Sequence, residues 1–389
     1  MAWFKNPDKF PKVGLILTGG GAKAAYQVGV IKAILKTLPN DQRNPFPIIA
    51  GSSGGAINGT VMASFANRPR VGIKRLESIW DEMHVDHIYR VGWPGLLKNS
   101  LRWLGQFFRS THSNPKPLSL FLNSPLRRLL TRVIDFEQIQ KNIDDHFLIA
   151  VSVTAYGYGS GISTSFFQGN QELENWQRHK RAGQRDYLEV NHLMASAAIP
   201  IVFPAIKIKR EYFGDGSIGF LSPVSPALHM GADKVLVISM ESPSSTAQSN
   251  KQINYPQLAE IGGRLMESVF TDSLAADLER LERINATLKL IPEKIARKQK
   301  NQLKQIESLI ISPNFDIDEV ASEHYNALPR LLRFFLKRAG ISDNSGGGIL
   351  SYLLFEKSFT QLLIKKGFEE TMLRSDEIIA FFSHHTETQ

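Results

Sequence analysis

The 389-residue chain contains no cysteine, which excludes disulfide bonds, a cysteine nucleophile and thiolate-ligated metal. No apolar run reaches the roughly 18 residues that a membrane-spanning helix needs. The stretch Met1–Lys12 also lacks the apolar core of a secretory signal peptide. From these absences we expect neither a transmembrane segment nor a signal peptide, and a protein of the cytoplasm or of the membrane periphery.

Basic residues are in excess, with 46 Lys and Arg against 37 Asp and Glu and a formal net charge of +9. Such a balance suits nucleic acid or an anionic membrane, but the basic residues are not interleaved with a nucleic-acid-binding motif. Two segments, Leu96–Arg109 and Leu328–Arg338, place basic residues beside an apolar helical stripe. Each stripe can lie on an anionic membrane or pack on the core. We interpret the first segment as a lid or docking segment and the second as a packed helix, and we expect no nucleic-acid partner.

A G-x-S-x-G pattern occupies Gly51–Gly55 and is centred on Ser53. The apolar run Phe46–Ala50 precedes it, and a helix-compatible run, Ala56–Phe65, follows it. This strand–turn–helix context is what a nucleophile elbow needs, because the sharp turn presents the serine hydroxyl. The N-terminal amides of the following helix point to the same place and can stabilise an oxyanion. Ser53 is therefore the candidate nucleophile.

Three consecutive glycines, Gly19–Gly21, stand between the strand-like run Val13–Leu17 and the helical pattern Ala22–Leu38. Their uncovered amides suit an anion, which is either a nucleotide phosphate or an oxyanion. A dinucleotide fingerprint needs G-x-G-x-x-G and an acidic residue after the second strand. Here the last glycine position holds Ala24, the acidic residue is missing and no Walker motif is present. These departures favour an oxyanion hole.

Asp215 lies between two glycines, after the run Ile206–Phe213 that alternates as a strand does. An Asp-Gly pair alone indicates only a turn. A serine nucleophile, however, needs a base to take its proton. Because the elbow and the glycine-rich loop occur in the same chain, we interpret Asp215 as that base.

These three motifs, in this order, resemble those of the patatin-like phospholipases: a glycine-rich oxyanion loop, G-x-S-x-G and a later D-G-G/A. The segment Ala195–Pro200, followed by Phe203-Pro204, is also typical of that family. The resemblance covers roughly residues 12 to 240. Two departures occur: Lys23-Ala24 stands where the family usually has Arg-Gly, and the last motif reads Asp-Gly-Ser. Lys23 keeps the positive charge but cannot make the paired planar contacts of arginine.

The resemblance implies a lipid acyl hydrolase of the phospholipase A or lysophospholipase type that uses a Ser–Asp dyad without histidine, metal or cofactor. Carried over, Ser53 is the nucleophile and Asp215 is the base. The oxyanion hole is implied to consist of backbone amides, those of Gly19, Gly20, Gly21 and Gly54. The implied partners are a lipid substrate and, by peripheral contact, a membrane surface.

Two alternatives stand beside this interpretation. One is a Ser–His–acid triad, for which four histidines are eligible by chain order, namely His229, His324, His384 and His385. None of them lies in a glycine-rich or strand-end loop, and the run His84–His87 lacks the further clustered ligands of a metal site. The other is a catalytically weak membrane-binding or regulatory protein that retains the fold, against which the intact motifs argue.

The remaining pattern predicts the architecture. Strands over Phe147–Ala155, Ile162–Phe167 and Lys234–Met240, with the first two strand–helix units, predict a three-layer α/β/α patatin-like sandwich. In such a sandwich the loops at the carboxyl ends of the strands form the site.

Beyond the predicted sandwich the pattern is almost wholly helical. We predict helices over Leu258–Ile284, Ala286–Ile310, Ile349–Ile364 and Ser375–Phe382. The chain is accordingly divided into a catalytic α/β domain over residues 1–240, a linker rich in Ser, Gln and Asn over 241–256, and a helical C-terminal region over 257–389.

Overall fold

A mixed β-sheet forms the centre of the protein. The computed structural model describes residues 11–40, 44–89, 119, 121–219, 222–241, 258–290, 304–338 and 347–383. Within them, ten strands join one sheet, with the order β10-β9-β1-β2-β3-β4-β6-β5 and the hairpin β7–β8 attached to β3. The strands are β1 (Val13–Leu17), β2 (Ile48–Ser52), β3 (Ala150–Gly157), β4 (Ser163–Gly169), β5 (Trp176–Arg178), β6 (Arg181–Arg185), β7 (Ile206–Ile208), β8 (Glu211–Asp215), β9 (Lys234–Ile238) and β10 (Glu307–Ile311).

Helices cover both faces of this sheet. They are α1 (Ala25–Thr37), α2 (Ser53–Ser64), α3 (Pro69–Asp81), α4 (Val85–Ile88), α5 (Ser124–Val133), α6 (Phe136–Asp144), α7 (Val190–Ser196), α8 (Ser225–His229), α9 (Leu258–Lys289), α10 (Ile317–Glu323), α11 (Arg330–Arg338), α12 (Gly347–Leu353), α13 (Lys357–Met372) and α14 (Ser375–Phe382). Among the described residues, no helix combines the length and the apolar character that crossing a bilayer requires.

The two faces of the sheet have separate apolar cores. Leu15 and Leu17 of β1 belong to the larger core, together with residues of α1 and α2. Ile16, between them, points to the other core, with Leu274 and Leu278 of α9. This alternation follows from the two-residue period of a strand. It confirms the predicted three-layer α/β/α sandwich.

Register in the sheet decides which loops meet. Strands β10, β9, β1, β2 and β3 are parallel, so their carboxyl ends lie along one edge. Thr154 of β3 pairs with Ser52, and the next residue, Ala155, pairs with Asp215 of the antiparallel β8 on the same edge of β3, because β4 occupies the opposite edge. Strand β3 therefore holds the end of β2 and the end of β8 at the same level.

The predicted helix over Ala286–Ile310 is wrong at its C-terminal end. Glu307–Ile311 is β10, which pairs in parallel with β9 at the edge of the sheet. A short apolar run fits a strand and a helix equally well by periodicity, and burial of Leu309 and Ile311 against the sheet decides the outcome. The predicted helix over Ile349–Ile364 is two helices, α12 and α13, and the predicted strand over Ile206–Phe213 is the β7–β8 hairpin.

In the described residues of the C-terminal region, β10 is the only strand and the other elements are helices. The region packs closely on the first helix. A Cβ on Gly29 of α1 would overlap the carbonyl oxygen of Ile364 in α13, and a Cβ on Gly367 would overlap that of Tyr26. Glycine on both helices thus allows their backbones to touch. Residues 242–257, which include nearly all of the predicted linker, lie outside the described residues, and the division of the chain into domains stays a prediction.

Candidate active site

Ser53 lies at the turn between β2 and α2, in the strained conformation that an elbow requires. Its φ is 51°, a value in the left-handed region that non-glycine residues rarely adopt. A Cβ on Gly55 would overlap the carbonyl oxygens of Leu17 and Thr18. The missing side chain at Gly55 therefore lets the elbow pack directly on the end of β1.

The structure brings Ser53 and Asp215 into direct contact. Ser53 Oγ donates a hydrogen bond of 2.8 Å to Asp215 Oδ2, and the backbone amide of Ser217 donates one of 2.9 Å to Oδ1. Asp215 is fully buried. Burial raises the pKa of its carboxyl from 3.8 to about 6, against the lowering effect of these hydrogen bonds. The carboxylate is thus a stronger base than an exposed aspartate and is still ionised at neutral pH.

Ser196, at the end of α7, ties the elbow to the aspartate loop. Its hydroxyl accepts a hydrogen bond of 2.8 Å from the amide of Ser53 and donates one of 2.6 Å to the carbonyl oxygen of Thr154. Its own carbonyl oxygen accepts from the amide of Gly216 at 3.1 Å. In the sequence Ser196 is marked only by its place in the family-like segment Ala195–Pro200, which indicates no role for it.

The glycine-rich loop lies against Ser53. A Cβ on Gly19 would come 3.1 Å from Ser53 Cβ, and one on Gly54 would come 2.9 Å from the carbonyl oxygen of Gly21. Gly20 and Gly21 lead into a short 3-10 helix, Gly21–Ala24. Gly19 and Gly21 of the loop and Gly54 of the elbow therefore lie close to the serine, and Gly20 stands between the first two along the chain.

A buried amide network holds this loop to the elbow helix. Asn58 of α2 donates hydrogen bonds of 2.9 Å to the carbonyl oxygen of Ala24 and to Gln27 Oε1. Its side-chain oxygen accepts one of 2.9 Å from the indole nitrogen of Trp80. Gln27 in turn donates to the carbonyl oxygen of Thr18 at 2.8 Å. Fully satisfied buried networks of this kind fix relative positions.

The two described candidate histidines make their contacts elsewhere. His229 Nδ1 lies 2.9 Å from the carbonyl oxygen of Ser225, and its ring stacks on Trp176. His324 Nδ1 lies 2.9 Å from the carbonyl oxygen of Val320. His384 and His385 lie outside the described residues. His84, of the run considered for a metal, lies 3.6 Å from Glu356.

An apolar cavity with a volume of about 40 Å³ reaches Ser53. Its walls come from α2, α3, α4, α5, the segment after α7 and the C-terminal region. Apart from Gly21, Ser53 and Gly54, the residues that line it are Ile57, Val61, Leu76, Ile79, Trp80, Met83, Ile88, Leu126, Leu129, Leu130, Val133, Ala197, Ile199, Phe203 and Phe355. A slot of this composition suits a hydrocarbon chain.

Phe355 is a site residue that the sequence analysis missed. It lies between α12 and α13, and its ring stacks on Trp80 with the centroids 6.3 Å apart. Nothing in the sequence marks it, because it falls inside a run that reads as one continuous helix.

The two basic apolar segments have different outcomes. Leu96–Arg109 lies outside the described residues. In Leu328–Arg338, which contains α11, Leu332 and Leu336 are buried whereas Phe334 is 44% exposed. The apolar stripe of α11 thus packs on the core, in agreement with the prediction of a packed helix. The ring of Phe334 reaches the surface.

A serine on a strained strand–helix elbow, beside a glycine-rich loop in an α/β sandwich, is the arrangement of serine acyl hydrolases. A family model described as patatin-like phospholipase matches residues 15–228. The match covers more than half of the chain, and the chain belongs to this family of lipid acyl hydrolases. It confirms the resemblance seen in the sequence motifs. No curated protein matches the chain.

Three solved structures illustrate the similarity of the chain to known proteins. VipD from Legionella pneumophila has 12% identity and a TM-score of 0.33, with 94% of this chain and 67% of that chain covered. Human GIVD cytosolic phospholipase A2, in complex with methyl gamma-linolenyl fluorophosphonate, has 11% identity and a TM-score of 0.44, with 96% and 59% covered. ExoU of Pseudomonas aeruginosa, in its complex with SpcU, has 16% identity and a TM-score of 0.30, with 95% and 77% covered.

Proposed function

We propose that the protein hydrolyses fatty-acyl esters of membrane lipids, as a phospholipase A or lysophospholipase, with Ser53 as nucleophile and Asp215 as base. The observation that carries the proposal is the 2.8 Å hydrogen bond between the two side chains, with Ser53 in the wall of the apolar cavity. A buried nucleophile–base pair whose serine lines an apolar slot suits an ester with a hydrocarbon tail.

The acylation step follows from this geometry. Asp215 Oδ2 takes the Ser53 proton as Oγ attacks the ester carbonyl carbon, and the carbonyl oxygen becomes an oxyanion. Amides of Gly19, Gly20, Gly21 and Gly54 stabilise that oxyanion, at about 3 kcal/mol for each donor in enzymes of known mechanism. When the tetrahedral intermediate collapses, the bond from the acyl carbon to the alcohol oxygen breaks, and Asp215 returns the proton to the leaving alcohol.

Deacylation repeats the same proton movements with water. Asp215 takes a proton from a water molecule as the water oxygen attacks the acyl carbon of the ester on Ser53. Collapse of the second tetrahedral intermediate releases the fatty acid, and the proton returns to Ser53 Oγ. One carboxylate thus serves both steps, which suits its pKa of about 6, because it is ionised at neutral pH and still a useful acid once protonated.

A fluorophosphonate probe tests the proposed chemistry directly. We expect the purified protein to be labelled on Ser53, as located by peptide mapping, and to release fatty acid from phospholipid or lysophospholipid vesicles. Labelling at another serine would show that the elbow is misassigned. A protein that is neither labelled nor active on any lipid or short-chain ester would instead belong to the class of membrane-binding or regulatory proteins that retain the fold.

Peripheral contact with an anionic membrane is the second part of the proposal, and it rests on the net charge of +9 and the exposed ring of Phe334 on the basic helix α11. Binding to vesicles should strengthen with anionic lipid content and weaken with added salt. The inactive variant Ser53→Ala serves as the control and should bind equally well. Binding that ignores both salt and lipid charge would contradict the electrostatic contribution.

Phe355 is expected to limit the length of the acyl chain. In the variant Phe355→Ala, the stack on Trp80 is lost and the cavity gains the volume of an aromatic ring. Each further buried methylene contributes about 0.8 kcal/mol, or about fourfold in kcat/KM. Among p-nitrophenyl esters, kcat/KM of the variant should therefore increase by about fourfold for each carbon beyond the chain length that wild type prefers. Phe381→Ala, a buried aromatic residue beside Lys234, is the control, and an identical chain-length profile in both variants would contradict the assignment.

A further inference from the structure

The glycine-rich loop rests on the C-terminal region. Gly21 has a φ of 55°, and a Cβ at this position would overlap the carbonyl oxygen of Tyr352 in α12. The backbone of the loop and the backbone of α12 are therefore in direct contact. Any movement of α12 toward or away from the loop changes the space available to Gly21, whose amide is one of those assigned to the oxyanion.

Lys23 makes a second contact between the same two parts. Its backbone amide donates a hydrogen bond of 3.0 Å to the carbonyl oxygen of Gly20, which closes the turn of the loop. Its ammonium group lies 3.5 Å from Asp318 Oδ1 and 4.4 Å above the centre of the Tyr352 ring. The side chain of Lys23 is only 11% exposed, so its charge needs these partners.

Asp318 is itself held in place. It lies in the first turn of α10, where its amide donates 2.8 Å to the capping carboxylate of Asp316. The hydroxyl of Ser351, in α12, lies 2.5 Å from Asp318 Oδ1. The carboxylate thus connects two helices of the C-terminal region and presents one oxygen to both Ser351 and Lys23.

We propose that Asp318 is a positioning residue for the reaction, which fixes the glycine-rich loop through Lys23 and so aligns the amides that bind the oxyanion. The inference rests on the proposed function. Asp318, Ser351 and Tyr352 all lie beyond residue 228, where the family match ends. The C-terminal region is on this view a working part of the active site, although none of its residues reacts with the substrate.

Position and charge predict opposite effects at Asp318, which makes the inference testable. A carboxylate near a forming oxyanion repels its negative charge. If electrostatic repulsion were its only effect, removing the carboxylate would raise the rate. Loss of alignment lowers the rate instead, since a displacement of about 1 Å in a catalytic group can cost about a hundredfold. The expected change through a loosened loop is smaller, about tenfold.

The experiment compares Asp318→Ala with wild type on a water-soluble p-nitrophenyl ester. We expect kcat to fall by about tenfold with KM within about twofold, because the loop acts on the transition state and not on binding of the acyl chain. Hydrogen–deuterium exchange should become faster in residues 19–24. Ser351→Ala, which keeps the carboxylate but removes its hydroxyl partner, should change both readouts in the same direction by a smaller factor.

Glu370→Ala is the matched control. Glu370, in α13, accepts a hydrogen bond of 2.8 Å from the Tyr26 hydroxyl on α1. This hydrogen bond therefore joins the same two parts of the chain as Asp318 does. Its partner Tyr26 lies three residues beyond Lys23, on helix α1 and not on the loop. The control should lower the melting temperature and leave kcat unchanged. An equal fall in kcat in both variants would reduce Asp318 to a general structural role and overturn the inference.

The outcomes separate this inference from the proposed function. An unchanged or raised kcat in Asp318→Ala overturns the positioning role while wild-type hydrolysis upholds the function. If wild type itself fails to hydrolyse esters, the proposed function falls. The exchange of residues 19–24 then decides the inference alone, and unchanged exchange in Asp318→Ala overturns it.

Discussion

Replacing Asp215 by asparagine is expected to lower kcat for ester hydrolysis by about four orders of magnitude, nearly as much as Ser53→Ala. Asparagine keeps the shape of the side chain and can still accept the amide hydrogen of Ser217. It cannot take the proton from Ser53, and loss of the base from a serine hydrolase costs about 10⁴-fold or more. Initial rates on a p-nitrophenyl ester, with the rate of fluorophosphonate labelling, measure the loss.

The double variant Ser53→Ala/Asp215→Asn checks that the two residues act together. When two groups serve the same proton transfer, the effects of their substitutions on the rate do not add. The double variant should therefore be no slower than Ser53→Ala. A further fall of several orders of magnitude in the double variant would mean that Asp215 acts independently of Ser53. Full labelling of Asp215→Asn by the probe would also contradict its role as base.

The pH dependence provides an independent measure of the same carboxylate. Because burial raises the pKa of Asp215 to about 6, kcat/KM of the wild type should rise with pH up to about pH 6 and then level off. The folded protein holds this proton more tightly than the unfolded chain, so ionising Asp215 destabilises the fold. The difference between about 6 and the ordinary 3.8 corresponds to about 3 kcal/mol.

The sign of this effect can be tested with the same variant. The destabilisation is fully present above about pH 6 and absent below about pH 4. Asp215→Asn should therefore have the higher free energy of unfolding at pH 7 to 8, by up to about 3 kcal/mol, and the difference should vanish at about pH 4. Denaturant unfolding at the two pH values measures it. An inactive variant that is more stable than wild type also shows that the lost activity does not come from misfolding.

Local patterns predicted the parts of the sheet that carry the candidate site. The runs before Gly19 and before Ser53 are apolar throughout because β1 and β2 are buried on both faces. Asp215 could be predicted only as a loop residue with a chemical reason to be near a serine. What brings it to Ser53 is the pairing of β3 with β2 and with β8, and such long-range register leaves no trace in either local sequence.

Tertiary contacts decided the elements that local patterns did not. Strand β10 is a strand because the edge of β9 offers backbone hydrogen bonds and a buried surface to Glu307–Ile311. The break between α12 and α13 sets Phe355 in the cavity wall, although the run there reads as continuous helix. Ser196 and Asp318 act through contacts with segments over 140 and 290 residues away along the chain, which no local motif encodes.

Gly19→Ala is expected to lower kcat by about 10² to 10³-fold with little change in KM. The added methyl group would overlap the Ser217 hydroxyl and come 3.1 Å from Ser53 Cβ. The Ser217 hydroxyl can rotate away, but Ser53 is held by its hydrogen bond to Asp215. The loop must therefore shift away from Ser53 Cβ, and its amides then lose the oxyanion. Loss of one oxyanion donor costs about 10² to 10³-fold in other hydrolases.

The matched control is Gly159→Ala, in the exposed turn between β3 and β4, where a Cβ would meet only the Glu211 side chain at 3.3 Å or more. It makes the same chemical change without touching the loop, and its kcat should equal that of wild type. Labelling by the fluorophosphonate should slow in Gly19→Ala as steeply as hydrolysis, since the probe's phosphoryl oxygen needs the same donors. Hydrolysis that slows while labelling stays fast would remove Gly19 from the oxyanion hole and assign its effect to substrate access.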